Sequence, residues 1–258
     1  MRHHETVPAL ATNFGGGGGF GFGFNMGVAR GLRRAGIDVT AFPMIGTSAG
    51  SHTVAAMRLG LDFDAFAEQW ADQVGEKTGR PWSDGYAFAD RMYRDLHDPE
   101  VSAVAVRVRG WKREVLNSAT YGIDDIVAAS SAAFPVIRPH KIDGRWYVDG
   151  GAISVASADL TPAARFMLLV TPFARDGQGI AGKAGDWQST REMRRWVERH
   201  GGDVLHVVPT DEMVACGGKR VRDIVDIRIG QSVYPLAVEY GEHVVAAEMR
   251  SMRPDLFP

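Results

Sequence analysis

The stretch that decides the fold is "MIGTSAGSH", Met44 to His52. It joins a β-rich, apolar segment, "VTAFPMIG", to "SAGSHTVAAMRLG", whose apolar residues fall at helical spacing up to Gly60. The order is strand, sharp turn, helix, with Gly46-Thr47-Ser48-Ala49-Gly50 at the turn. This is a G-x-S-x-G elbow in the context such an elbow requires. Small residues are needed at 46 and 50 because side chains two positions from the serine would collide with neighbouring backbone. The turn presents Ser48 Oγ at the carboxyl edge of a sheet, and the helix that begins there aims its free N–H groups at any oxyanion formed beside it. Ser48 is therefore the candidate nucleophile.

Upstream, "ATNFGGGGGFGFGFNMGVARGL" (Ala11 to Leu32) runs from glycine and phenylalanine into helical spacing, with a helix expected from about Asn25 to Ala35 and Gly36 as its stop. A carbonyl attacked by Ser48 develops negative charge on oxygen. Consecutive glycine N–H groups can converge on that charge without side chains in the way, and Gly17, Gly18 and Gly19 are the candidate donors. A flexible linker would not carry Phe20, Phe22 and Phe24 so close to a helix.

A nucleophilic serine needs a base. In "RWYVDGGAIS" an apolar strand ends at Asp149 with Gly150 and Gly151 behind it, so a carboxylate can project while its backbone turns away. The remaining pattern alternates strands with helices. "VSAVAVRVRG", "ARFMLLVTPF" and "GDVLHVVP" read as strands. "GIDDIVAASSAAF", started by Asp124, "DWQSTREMRRWVERH" and a last helix over "YPLAVEYGEHVVAAEMRSM" read as helices. That alternation implies an α/β fold with a mostly parallel central sheet covered on both faces. The aromatic-rich segment from about 61 to 100 reads equally as a cap or lid walling an apolar groove, with Trp82 and Phe88 on it, or as ordinary core.

The glycine run, the elbow, and "DIVAASSAAFPVIRPHKIDGRWYVDGG" occur in the order found in the patatin-like phospholipase family, and the chain resembles that family. The matching stretches run from Gly15 to Gly60 and from Ile123 to about Ser154. The family pattern is a glycine-rich oxyanion segment, G-x-S-x-G, an A-S-x-A-x-P stretch and D-G-G or D-G-A. The resemblance implies a three-layer α/β/α sandwich, one domain over 1–258, and a serine–aspartate dyad in which Asp149 itself takes the proton of Ser48. It also implies a lipid or other carboxylic ester as substrate. The chain departs from the family twice: Gly21 stands where an arginine is usual, and "AISVASA" replaces the usual asparagine and proline after D-G-G.

Other chemistry is less well supported. His52 follows Ser48 by one helical turn but points along the helix stem, away from the elbow, and His140, His206 and His243 have no distinguishing context. Gly16-x-Gly18-x-x-Gly21 followed by Asp38 satisfies a dinucleotide fingerprint, yet five glycines in a row match it almost automatically. A catalytically silent acyl-binding scaffold on the same fold is the remaining alternative. No residues show metal-ligand spacing, and no cofactor is expected. With 29 basic against 31 acidic residues, a net charge of −2 gives no reason to expect nucleic acid. Cys216 is the single cysteine, which excludes an internal disulfide. No leader or membrane span is legible, since Ala41 to Met57 is broken by Pro43, glycines and His52. A cytoplasmic protein with a peripheral membrane contact is expected, of unspecified oligomeric state.

Overall fold

The computed structural model describes residues 7–77, 85–172, 179–217 and 226–258. Trp82, expected on the groove, lies outside the described residues. Among the described residues eight strands form one sheet: β1 (Leu10–Phe14), β2 (Met44–Thr47), β3 (Ser102–Arg107), β4 (Lys112–Asn117), β5 (His140–Ile142), β6 (Arg145–Asp149), β7 (Phe166–Val170) and β8 (Asp203–Val207). Their order is β5-β6-β3-β2-β1-β7-β8, with β4 also paired to β3. From β3 to β8 the neighbours run parallel, while β4, β5 and β6 add an antiparallel wing.

Apolar content explains the parallel half: "FMLLV" of β7 is buried throughout, as a strand covered on both faces must be. The central strand β1, "LATNF", is equally buried but carries Thr12 and Asn13. Asn13 is tolerated because its amide donates to Thr161 Oγ1 at 2.8 Å. Those two polar residues conceal β1 from a reading of the sequence by hydrophobicity.

Helices cover both faces. On one side α1 (Gly18–Arg34), α2 (Ala49–Arg58), α3 (Phe63–Lys77), α4 (Gly85–Tyr93) and α5 (Ile123–Ser130) share a core with the later helix Ile227–Tyr240. On the other, α6 (Gly179–His200) buries Trp196 over Ala11, Met167 and Leu169. The short α7 (Asp211–Cys216) precedes α8 (Ile227–Tyr240), which contains Pro235 and passes through a π turn into α9 (Ala246–Met252). The three-layer α/β/α architecture expected from the sequence is the one observed. Among the described residues, no helix is long and apolar enough to cross a membrane.

Three boundaries differ from the expectations. The first helix starts at Gly18 rather than Asn25, so the last two glycines of the run and the Phe-Gly repeat after it are helical. Gly122, not Asp124, occupies the N-cap of α5. The last helical segment begins at Ile227 rather than Tyr234. The first difference has a packing cause. Gly19, Gly23, Gly27 and Gly31 recur every fourth residue, which places them on one ridge of α1. A Cβ on any of them would strike the backbone of α8 or its flanks: Asp226 for Gly19, Gly230 for Gly23, Tyr234 for Gly27 and Val238 for Gly31. The helices therefore approach backbone to backbone, while Phe20, Phe22, Phe24 and Val28 fill the core elsewhere around α1.

Between β4 and α6, Arg113 makes a two-pronged pair with Asp159 (2.8 and 2.9 Å) and reaches Glu192 at 3.0 Å. Glu192 also accepts from Ser154 Oγ (2.9 Å) and the Ala158 N–H (3.0 Å). The network ties the chain after Asp149 to both elements.

An alanine in place of glycine normally stabilises a helix interior by about 1 kcal/mol. Here the sign reverses: Gly31→Ala lowers the denaturation midpoint in a urea titration, because the added methyl has only the Val238 carbonyl and Gly241 to move into.

Candidate active site

β2 ends at Thr47, and the next residue, Ser48, has φ 54 and ψ −119 before α2 begins. Positive φ is costly for a residue with a side chain, so surrounding contacts must hold it. The Ser48 N–H donates to Ser130 Oγ at 2.9 Å, and Ser130 Oγ donates to the Val104 carbonyl at 2.7 Å. The Ser48 carbonyl accepts from the Ser51 N–H (2.8 Å) and Ser51 Oγ (2.6 Å). Gly46 and Gly50 are required on steric grounds. A Cβ at 46 would overlap Gly50, and one at 50 would overlap the Phe14 carbonyl.

Asp149 arrives by a different route. β4 pairs with β3 along Ser102–Arg107 and so fills one edge of that strand. The other edge is shared: β2 runs parallel to its first part, with Thr47 opposite Val104, and β6 runs antiparallel to its second part, with Asp149 opposite Ala105. The ends of β2 and β6 thus meet head-on at consecutive positions of one strand. Ser48 and Asp149, far apart in sequence, are thereby brought together at this junction, where the Ser48 side chain acts to lower the pKa of the carboxyl. Gly150 allows the abutment, since a Cβ there would lie 2.6 Å from the Val104 carbonyl and 2.8 Å from Thr47 Cγ2. The Asp149 N–H donates to the Ala132 carbonyl at 2.9 Å, and Oδ1 accepts from the Gly151 N–H at 2.6 Å. With 8% of its surface exposed, the carboxyl pays for desolvation: burial pushes its pKa up to about 6, against the lowering effect of the Ser48 and Gly151 hydrogen bonds.

The glycine run passes beside the same point. Gly15 and Gly16 use their N–H groups on Val170 (2.8 Å) and Val155 (2.7 Å), and Asn25 Nδ2 holds the Gly15 carbonyl at 2.9 Å. A Cβ on Gly16 would lie 3.2 Å from Ser48 Cβ. Gly17 is the N-cap of α1, and the N–H groups of Gly17, Gly18, Gly19 and Phe20 have no hydrogen-bond partner among the described residues. The N-termini of α1 and α2 both open at this edge of the sheet, so two positive helix ends face the Ser48–Asp149 pair. Of the three expected donors, Gly19 must be glycine for another reason, its contact with Asp226.

A family model described as Patatin-like phospholipase matches residues 14–161, more than half of the chain. The chain belongs to the patatin-like phospholipase family. Among solved structures, that of VipD from Legionella pneumophila is similar at 12% identity, covering 95% of this chain and 74% of that one with a TM-score of 0.44. No curated protein matches significantly.

The two departures from the usual patatin-like pattern have structural counterparts. Gly21 lies against Pro172, and a Cβ there would be 2.9 Å from Pro172 Cγ, so the proline stands where a side chain at 21 would begin. After D-G-G, the "AISVASA" segment is anchored by Glu192 through Ser154 and Ala158, in place of the usual proline and asparagine. Ser130 is the site residue that residue-by-residue reading missed. Its only signal was membership of the "ASSAAFP" stretch.

Other sequence candidates go elsewhere. His52 is buried, bonded to Tyr93 OH at 3.0 Å and surrounded by Phe66, Trp70 and Phe88; burial pushes its pKa down to about 3, so it is a core residue. His140 pairs with Asp125 (2.7 Å), His206 with Thr171 (2.7 Å), and His243 is exposed. Asp38 turns into its own 3-10 turn, accepting from Thr40. The expected lid aromatics Phe63, Phe66 and Tyr93 are fully buried and pack with Phe22 and His52, which makes them core instead of a groove lining. Among the described residues, no group of three or more His, Cys, Asp or Glu could hold a metal ion.

Because its folded pKa of about 6 exceeds the unfolded value of about 3.9, Asp149 lowers stability as pH rises between those values, by about 3 kcal/mol at pH 8. Asp149→Asn therefore melts higher than wild type at pH 8 and level with it at pH 4; equal melting at both would show an undesolvated carboxylate. Ser130→Ala strands the Ser48 N–H and the Val104 carbonyl, and denaturant titration is expected to show a loss of about 2 kcal/mol together with slower reaction of Ser48 toward a fluorophosphonate.

Proposed function

We propose that the protein is a serine acyl hydrolase of lipid or other carboxylic esters, using Ser48 as nucleophile and Asp149 as base. The observation that carries the reading is the juxtaposition of a strained, half-exposed serine with a buried carboxyl, in a chain of a lipid acyl hydrolase family.

Ser48 Oγ attacks the ester carbonyl while its proton passes to an Asp149 carboxylate oxygen. The oxyanion is held by N–H groups of Gly17, Gly18 and Gly19 at the α1 N-terminus, each donor worth about 3 kcal/mol of transition-state stabilisation. Collapse expels the alcohol, protonated by Asp149, and leaves an acyl-serine. Asp149 then takes a proton from water as the water attacks the acyl carbonyl, and the fatty acid departs with Ser48 restored. A carboxyl with a pKa of about 6 is a stronger base than the free side chain and is still largely ionised at neutral pH. The fixed N–H groups do the remaining work by placement.

A fluorophosphonate is expected to label the wild type and not Ser48→Ala, with Asp149→Asn labelling far more slowly. Hydrolysis of a soluble ester should fall as pH drops through about 6, since the base must be unprotonated. Persistent labelling of Ser48→Ala overturns the assignment. A folded wild type that neither labels nor hydrolyses favours the silent scaffold.

A further inference from the structure

The antiparallel wing carries two hairpin tips that rise past the level of Ser48 on the same side of the sheet. The turn after β3 contains Val108, Arg109, Gly110 and Trp111, and the β5–β6 turn contains Asp143 and Gly144. The Val108 N–H donates to the Trp146 carbonyl at 2.8 Å, which sets the tips side by side. Trp146 precedes Asp149 by three positions on β6, about 10 Å at strand rise.

These tips have an unusual surface. Trp111 is 56% exposed, Trp146 50% and Val108 41%, whereas exposed large apolar residues are ordinarily scattered singly. Trp111 also has φ 47, a conformation that favours glycine or asparagine and is costly for a bulky side chain. A strained tryptophan held out in solvent adds nothing evident to the core. The surrounding charge is one-sided. Arg109, Lys112, Lys141 and Arg145 are exposed; Arg145 is engaged by the Tyr147 hydroxyl and attracted by Glu114. Asp143 is the one acid in the two tips, although the whole chain has a net charge of −2. Lys141 Nζ lies 5.6 Å over the Trp146 ring, so cation and aromatic are presented together.

We propose that these paired hairpin tips are the surface by which the protein docks onto an anionic lipid bilayer, the tryptophans seated at headgroup depth and the cations on acidic headgroups. Tryptophan suits the boundary of a membrane because one end of the indole is apolar and the other is wet. Basic residues near an anionic leaflet add attraction that falls off within a Debye length. A nucleic acid would answer the charge but leave the exposed Val108 and the tip position beside an esterase site without a role. The choice of a bilayer rests on the lipid-ester reading above. Docked this way, the edge carrying Ser48 and Asp149 faces the membrane, set back from the tips by about 10 Å.

The test uses Ser48→Ala protein, so that no lipid is consumed, in cosedimentation with phosphatidylcholine vesicles with and without phosphatidylserine. Binding is expected to the phosphatidylserine vesicles, weakening with salt. Lys112→Glu with Arg145→Glu should weaken it at least about tenfold, and Trp111→Ala with Trp146→Ala should weaken it too. The same pairs placed in the wild type should leave hydrolysis of a short water-soluble ester unchanged. Absence of binding, binding indifferent to both pairs, tighter binding to duplex DNA than to the vesicles, or loss of a dimer on tryptophan substitution would each overturn the proposal. Soluble-ester hydrolysis without vesicle binding defeats the docking surface alone; tip-dependent vesicle binding without hydrolysis defeats the hydrolase reading alone.

Discussion

Everything at the site depends on one edge of β3 being divided between two strands. β2 reaches that edge from one end and β6 from the other, stopping opposite Val104 and Ala105. Because backbone pairing fixes positions to a fraction of a residue, the residue after β2 and the last residue of β6 are placed against each other without a flexible intermediary. Ser130 completes the junction by bridging the Ser48 N–H to the Val104 carbonyl, so the elbow is fastened to the same strand that sets the register of Asp149.

Close approach of backbones is the second constraint, and glycine serves it in three places. At the elbow, Gly46 and Gly50 let strand, turn and helix overlap in projection. At the end of β6, Gly150 lets that strand abut β2. Along α1, the four-residue ridge from Gly19 to Gly31 lets α8 lie against bare backbone. Dispersion contacts at that distance, which the missing Cβ atoms permit, offset the conformational freedom that glycine gives up in a helix. The same run therefore supports both the close approach to Ser48 at its start and the helix packing along its length.

Burial also sets the chemistry of the carboxyl. In water an aspartate is a feeble base; largely shut off from solvent, Asp149 has its pKa moved up to about 6. The native state bears the electrostatic cost of that environment. Elsewhere the buried carboxyls of Asp159 and Glu192 share the single guanidinium of Arg113, and the cluster holds the segment that follows Asp149.

By itself the sequence determined the elements whose signals are local: the elbow with its obligatory glycines, the D-G-G turn, the apolar strand "FMLLV" and the layered α/β class, because sterics and periodicity act within a few residues. Tertiary structure alone decided the rest. The strand "LATNF" is hidden by Asn13 until Thr161 supplies its partner. The helix start at Gly18 stays hidden until α8 supplies a reason for it, and the aromatics of 61–100 read as lid or core until Phe66 is seen packed against His52 and Phe22. Ser130 looks like a small helical residue until it is found between two backbones. In each case the deciding atom lies tens of residues away in the chain, and no local pattern encodes a contact whose energy exists only when two distant segments exclude water together.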